Sequence, residues 1–407
     1  MCDVETDLIN SVSSALGRSF NSIQFPNPLI LPPTSMDSPR PSEPLLYPGE
    51  NYETIAGFPT IYHYQPPPIP DSTRPLIVCV PGGLHLARMF YGGHRGSRPE
   101  DFLVHWLNKH GFGVLSLSYP LETDPAIMPA TASGFRVPDW GRQAAGTTQQ
   151  IMQHESYRSV VLIAWSMGGR MIVPFNLAAK ELGLEVEQYI SFAATPGISN
   201  LRATPRGIQC SPTGYYHVPS RAEEVFGKQL DEIWSLNAGR EIIPREIYRR
   251  EYLGGTPINL VGLRLRYDGR GAFVPDEMPY EEETRVFEFS NLPFISAIYP
   301  TSILDANHSL SDRATWGFLM TRHLESTIVP SKISPQKWPQ VVDLVHSAPE
   351  RLSIAAEGNH FFFVGREEPG RRPTTSSSFC VGAVRSKGNS LPSWKTDEHS
   401  QDLAVHY

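Results

Sequence analysis

The chain carries two kinds of apolar pattern. Short, nearly continuous apolar runs at 76–80 (LIVCV), 113–119 (GVLSLSY), 159–164 and 189–194 (YISFAA) are strand-length, and runs of that kind suit strands covered on both faces. Between them lie segments whose apolar residues recur with helical period. Phe102, Leu103, Trp106 and Leu107 form one such face, in a helix that opens on a Ser97/Glu100 capping box with Pro99 in its first turn and closes near Gly111. The same reading predicts helices over 139–155 and 167–182 and a strand pair over 51–64 around Gly57. Alternation of this sort predicts an α/β fold with a mostly parallel central sheet and helices on both faces. Ligands of such sheets sit beyond the carboxyl ends of the strands. Function is therefore to be sought at 81–94, 119–138 and 164–170.

The rhythm breaks over 201–290. Residues 221–252 are polar, with helical spacing of Val225, Leu230, Ile233 and Trp234, and 255–290 are irregular. This block reads as a largely helical cap, inserted between a first core part at 46–200 and a second at 291–366. In the second part 293–298 and 352–356 read as strands, and 311–326 and 335–347 as helices. Tyr215, Tyr216, Trp234 and Leu236 give the cap an apolar composition suited to lining a pocket. Residues 1–45 read as a Pro-rich N-terminal extension with one amphipathic helix over 3–16. Residues 367–407, rich in Ser, Thr, Pro and charge, read as a mobile C-terminal tail.

Composition narrows the function classes. A net charge of −7 over 407 residues gives no reason to expect nucleic acid or an anionic membrane as partner. No apolar run approaches the ~18 residues of a membrane span, and the segment MCDVETDLIN has no secretory-signal pattern. The four cysteines, Cys2, Cys79, Cys210 and Cys380, are scattered, which reads as free thiols in a reducing, cytoplasmic setting. No HExxH, EF-hand loop, cysteine–histidine cluster or nucleotide loop occurs, so neither a metal nor another cofactor is expected. Arg249-Arg250-Glu251 and Glu281-Glu282-Glu283 read as exposed charged faces. His85, Arg88, Tyr91 and His94 fit the entrance of a site or a structural role equally well.

The segment that carries chemistry is Val160-Val161-Leu162-Ile163-Ala164-Trp165-Ser166-Met167-Gly168-Gly169. It reads as strand, small-x-Ser-x-Gly, helix. A nucleophilic serine needs a sharp strand-to-helix turn that projects its hydroxyl at the sheet edge. Small residues two before and two after let strand and helix approach there. Here they are Ala164 and Gly168, with Ala164 in the place of the commoner glycine. The helix N-terminus adds free N–H groups where an oxyanion forms.

On these residues the chain resembles the α/β-hydrolase superfamily of serine esterases and thioesterases, over roughly 46–366. The resemblance implies an oxyanion loop after an earlier strand. Val80-Pro81-Gly82-Gly83-Leu84-His85 looks like the His-Gly-Gly stretch of esterases and lipases, with Pro81 in place of the His. The N–H of Gly83 or Leu84 would then act with that of Met167. The resemblance also implies the chain order Ser, acid, His. Of the 13 histidines, His360 alone stands in the loop after the last strand, in Glu357-Gly358-Asn359-His360-Phe361-Phe362. Asp305 is the first carboxylate after the strand at 293–298. Asp312 is the alternative acid, although beside Ser311 it reads as a helix cap. The activity implied is hydrolysis of a carboxylic ester or thioester of a small to medium apolar acyl compound through an acyl-serine. Acyltransferase, lyase or cyclase chemistry on the same scaffold, and a non-catalytic small-molecule receptor, stay open at this point.

Overall fold

The computed structural model describes residues 45–201, 208–218, 222–330 and 333–365. The chain divides into two units, 1–42 and 43–407, and every described residue lies in the second. The expected N-terminal extension with its 3–16 helix, and the 367–407 tail, fall outside the described residues apart from Leu45.

An eight-stranded sheet organises the second unit. Its strands are β1 (Glu50–Ile55), β2 (Phe58–Gln65), β3 (Leu76–Val80), β4 (Val114–Ser118), β5 (Val160–Trp165), β6 (Val186–Phe192), β7 (Ile295–Pro300) and β8 (Ser353–Ala356). Across the sheet they run β1-β2-β4-β3-β5-β6-β7-β8. Neighbours from β4 to β8 are parallel, and β2 is antiparallel to both β1 and β4.

The apolar runs work as strands because side chains alternate between two covered faces. In β3, Leu76, Val78 and Val80 enter one core and Ile77 and Cys79 the other. In β5, Val160, Leu162 and Ala164 enter the first, and Val161, Ile163 and Trp165 the second. Burial pushes the Cys79 thiol far up and keeps it neutral.

The helices that cover the sheet or brace the site are α1 (Leu103–Lys109), α2 (Val137–His154), α3 (Ile172–Glu181), α4 (Gly227–Leu236), α5 (Arg245–Glu251), α6 (Ala306–Ile328) and α7 (Trp338–Arg351). The first core takes Trp140 and Ala144 of α2, Phe175 of α3 and Trp316 of α6. The second takes Leu103 and Leu107 of α1 together with Leu230 and Ile233 of α4 and Tyr248 of α5. Half of the inserted block thus covers a sheet face. The other half holds a three-stranded sheet (Gln209–Cys210, Tyr215–His217, Thr256–Pro257) and a hairpin (Leu265–Tyr267 with Phe273–Pro275). The stretch read as irregular over 255–290 therefore contains strands as well as short helical turns.

Local differences from the sequence reading have tertiary causes. The Ser97/Glu100 capping box does not form. Pro99–Asp101 make a 3-10 turn, Phe102 is extended, and α1 starts at Leu103. The extended Phe102 separates the two, and its ring packs where a Cβ on Gly92 would be, 2.4 Å away. Helix α6 begins at Ala306 with Asp305 at its N-cap, so Asp312 lies inside the helix and caps nothing. Glu283 is buried and pairs with Arg136, and Glu281 accepts from Ser199, so this acidic run is only partly a solvated face. No helix among the described residues is long and apolar enough to cross a membrane.

Arg88, Tyr91 and His94 are structural. The Glu50 carboxylate accepts from Arg88 Nε and Nη2 (both 2.7 Å), Tyr91 Oη (2.6 Å) and the Tyr47 N–H (2.7 Å). Arg88 also donates to the carbonyls of Leu45 and Glu251 and lies 3.7 Å over the Tyr47 ring. His94 Nδ1 pairs with Tyr252 Oη at 2.6 Å. The ion pair ties β1 to the short helix at Arg88–Tyr91, with side chains 1% and 0% exposed. Removing one partner strands the other charge. Glu50→Ala should lower the unfolding free energy by about 3–5 kcal/mol in urea denaturation. A loss under about 1 kcal/mol, the level of an exposed pair, would contradict this.

Candidate active site

The strand order reverses at β3, which pairs with β4 on one side and β5 on the other. The loops leaving the carboxyl ends of β3 and β5 therefore meet at a topological switch point, where open α/β sheets place their ligands. They are Pro81–His85 and the turn at Ser166.

Ser166 adopts φ +55°, a left-handed conformation that a side chain resists. The chain passes from β5 through a 3-10 turn, Ser166–Met171, into α3. Close backbone contacts hold that conformation. A Cβ on Gly168 would lie 3.0 Å from the Pro81 carbonyl oxygen and 3.2 Å from the Ala164 Cβ. One on Gly169 would lie 2.8 Å from the Thr195 carbonyl oxygen, while the Thr195 N–H donates to the Ser166 carbonyl at 2.8 Å. From the other side Gly82 presses against the serine: a Cβ there would be 2.5 Å from Ser166 Cβ and 3.0 Å from Oγ.

The Pro81–His85 loop is braced from several directions. Tyr119 Oη donates to the Gly82 carbonyl (3.0 Å), and His85 Nδ1 is 2.7 Å from the Gly83 carbonyl oxygen. The inserted block supplies the rest. Thr256 Oγ1 accepts the Leu84 N–H at 2.8 Å and lies 3.0 Å from Tyr119 Oη; the Gly254 N–H reaches the Leu84 carbonyl, and Tyr248 Oη pairs with His85 Nε2 at 2.7 Å. Of the N–H groups expected to hold an oxyanion, that of Leu84 is thus already engaged. The Gly83 N–H has no partner among the described residues. Met167 sits at the start of the 3-10 turn, where N–H groups lie outside the helical ladder.

Asp305 and His360, the acid and the histidine expected from the sequence, lie in contact. Asp305 Oδ2 is 2.8 Å from His360 Nδ1, with side chains 11% and 9% exposed. Asp312 instead takes the Nδ1 of His308, at 2.8 and 2.9 Å. The loops that carry Asp305 and His360 are stitched together: the Thr301 and Ser302 N–H groups donate to the Gly358 carbonyl. Both are held by α4. Glu232 accepts from Ser302 Oγ (2.6 Å) and Asn359 Nδ2 (2.7 Å), and Gln229 donates to the Leu304 carbonyl. Trp165, next to the serine, donates its indole N–H to the His360 carbonyl at 2.9 Å. Glu232, Gln229 and Thr256 carry no sequence signal for these tasks. They read as ordinary polar residues of the inserted block.

Ser166, Met167, Gly83, Leu84, His85, Asp305, His308 and His360 line one cavity of about 550 Å³. From the inserted block Tyr216 joins them, whereas Trp234 and Leu236 pack with the second core and Tyr215 Oη accepts the Ala132 N–H. Asp305, His308 and His360 each bring one potential metal ligand atom within 4.8 Å of the others. Their geometry suits a metal poorly. The two rings lie tilted at 32° with centroids 5.0 Å apart, and each Nδ1 is bound to its own carboxylate.

The strand order, the strained serine at the switch point and the histidine loop after the last strand define an α/β-hydrolase fold. No protein-family model matches the sequence, and no curated protein is similar to it. Among solved structures, the chain is similar to the AqdC enzyme that recognises and cleaves the ring of the Pseudomonas quinolone signal. That likeness has 11% identity and a TM-score of 0.39, over 82% of this chain and 99% of that one. It is also similar to the carboxylesterase CesB from Bacillus subtilis (13% identity, TM-score 0.40, 83% of this chain and 91% of that one). An arylesterase gives 11% identity and a TM-score of 0.39 over 84% of this chain and 86% of that one. At such values they carry no weight about chemistry, and the class rests on the site geometry.

Thr256→Val keeps the volume but leaves the Leu84 N–H without its acceptor. It should cost about 1–3 kcal/mol of stability in urea unfolding. An unchanged midpoint would show that the brace is dispensable.

Proposed function

We propose that the protein is a serine hydrolase that cleaves a carboxylic ester or thioester of a small to medium acyl compound. Ser166 is the nucleophile, His360 the general base and acid, and Asp305 its orienting carboxylate. The observation that carries this reading is the 2.8 Å Asp305–His360 contact in the same cavity as a serine held at φ +55°.

In the first half-reaction, Ser166 Oγ attacks the substrate carbonyl carbon while His360 takes its proton through Nε2. The oxyanion is held by the N–H groups of Met167 and Gly83. Collapse breaks the bond from carbon to the leaving oxygen or sulfur, which receives the proton from His360. In the second, His360 removes a proton from water as its oxygen attacks the acyl-serine. The acid product departs and the proton returns to Ser166. Asp305, at Nδ1, fixes the tautomer that leaves Nε2 as acceptor and stabilises the imidazolium. Each oxyanion donor is worth about 2.7–4 kcal/mol of barrier. A cavity of about 550 Å³ falls within the range of small-molecule pockets. A cytoplasmic setting belongs to the same reading, supported by Cys79 and Cys210 both being free thiols.

A fluorophosphonate probe should label the wild-type protein and leave Ser166→Ala unlabelled. With p-nitrophenyl and thioester acyl chains, Asp305→Asn should lower kcat by about three to four orders of magnitude. Asp312→Asn should lower it by less than about tenfold, since that carboxylate does not touch His360. No labelling of the wild type, and no turnover that depends on Ser166, would favour a receptor over an enzyme. Transfer of the acyl group to an acceptor other than water would point to an acyltransferase.

A further inference from the structure

We infer that the substrate of this cavity carries a carboxylate group, distinct from the scissile carbonyl, that is bound by Arg170. The inference deepens the hydrolase reading and rests on it for the identity of the scissile bond. The anion site itself rests on the surroundings of Arg170.

Arg170 lies on the same 3-10 turn as Ser166 and lines the same cavity. Among the described lining residues, the one carboxylate is that of Asp305, already committed to His360, and Arg170 is the one permanently charged cation. Its guanidinium is anchored by a single nitrogen. Nη1 donates to the Leu260 carbonyl at 2.7 Å and lies 3.3 Å from Tyr280 Oη. Gly262 makes room for that anchor, because a Cβ there would sit 2.9 Å from Nη1. Nε is buried with no hydrogen-bond partner, and Nη2 makes none among the described residues.

A guanidinium has five N–H donors, and the edge formed by Nε and Nη2 matches the two oxygens of a carboxylate. At Arg170 this edge has no acceptor among the described residues. Among the described residues no side chain supplies the missing charge. Glu281 is held by Ser199 and Glu283 by Arg136. Burial pushes the Tyr280 hydroxyl up to about 12, so it stays neutral beside the cation. Arg88 of the same chain shows the contrast. Its Nε and Nη2 are both taken by the Glu50 carboxylate, and Nη1 is capped by a carbonyl. A buried donor without an acceptor costs free energy, which a ligand carboxylate arriving at that edge would recover. Arg170 stands only one helical turn along from Ser166. The recognised carboxylate and the attacked carbonyl therefore belong to one small molecule, such as the half-ester or half-thioester of a dicarboxylic acid.

The test separates binding from turnover. Ser166→Ala protein is titrated calorimetrically with monomethyl adipate and with neutral dimethyl adipate. The half-ester should bind at least about tenfold more tightly. Arg170→Gln in the same background should abolish that preference. Arg170→Lys should restore only part of it, because an ammonium cannot form the fork. Far-UV circular dichroism confirms that each variant is folded. Equal binding of the two esters, undetectable binding of the half-ester, or a preference that survives Arg170→Gln would overturn the inference. Tighter binding of monobutyl phosphate than of the half-ester would overturn the carboxylate assignment. A preference that depends on Arg170, in a protein whose wild type turns over no ester, would sink the hydrolase reading and leave the anion site standing.

Discussion

The site depends on the close approach of three backbone segments at Ser166. The serine can hold φ +55° only while Gly82, Gly168 and Gly169 let the neighbouring chain come within van der Waals contact. A Cβ at any of the three would meet an atom 2.5–3.0 Å away, in two cases a backbone carbonyl. The strain is local and the restraint is distributed over β3, β5 and the segment after β6. A left-handed serine therefore persists where the surrounding fold over-determines it. The reward is a hydroxyl, free N–H groups and a histidine loop brought to one cavity with little left to reorganise.

The inserted block contributes as much to that preorganisation as the core does. Its α4 and α5 bury Leu230, Ile233 and Tyr248 against the second sheet face, so the block cannot lift away as a rigid lid without exposing core. From that anchored position Glu232 and Gln229 fix the loops that carry Asp305 and His360, and Thr256 and Gly254 fix the Pro81–His85 loop. One element thus supplies sheet cover, loop bracing and, through Tyr216, part of the cavity wall.

Two arginines show how polar satisfaction sorts structure from recognition. Arg88 is buried with a bidentate carboxylate and carbonyl caps, which is how a charge can be held in a core. Arg170 lines the cavity but is anchored through Nη1 alone, and its Nε is buried without an acceptor. What sets Arg170 apart from the other buried polar atoms without a partner is its permanent charge and its place in the wall of the cavity that holds Ser166, and on that contrast the inferred anion site rests.

Much of the architecture was legible in the sequence because it rests on local chemistry. The apolar runs of β3 and β5 announce strands buried on both faces. The spacing Ala164-x-Ser166-x-Gly168 announces a turn that only small flanking residues permit, and His360 stands in the one loop after a final short strand. What the sequence left open required distances. Asp305 and Asp312 are equally acidic and seven residues apart, and only the early start of α6 sends one to His360 and the other to His308. The Leu84 N–H looked available until Thr256, far along the chain, proved to occupy it. Ser97 and Glu100 had the capping pattern, but the chain is extended at Phe102, whose ring packs closely on Gly92, and the helix starts only at Leu103. Local sequence determines which conformations a segment favours. Which of several similar groups meets a given partner depends on contacts between residues remote in sequence, and those only the tertiary structure decided.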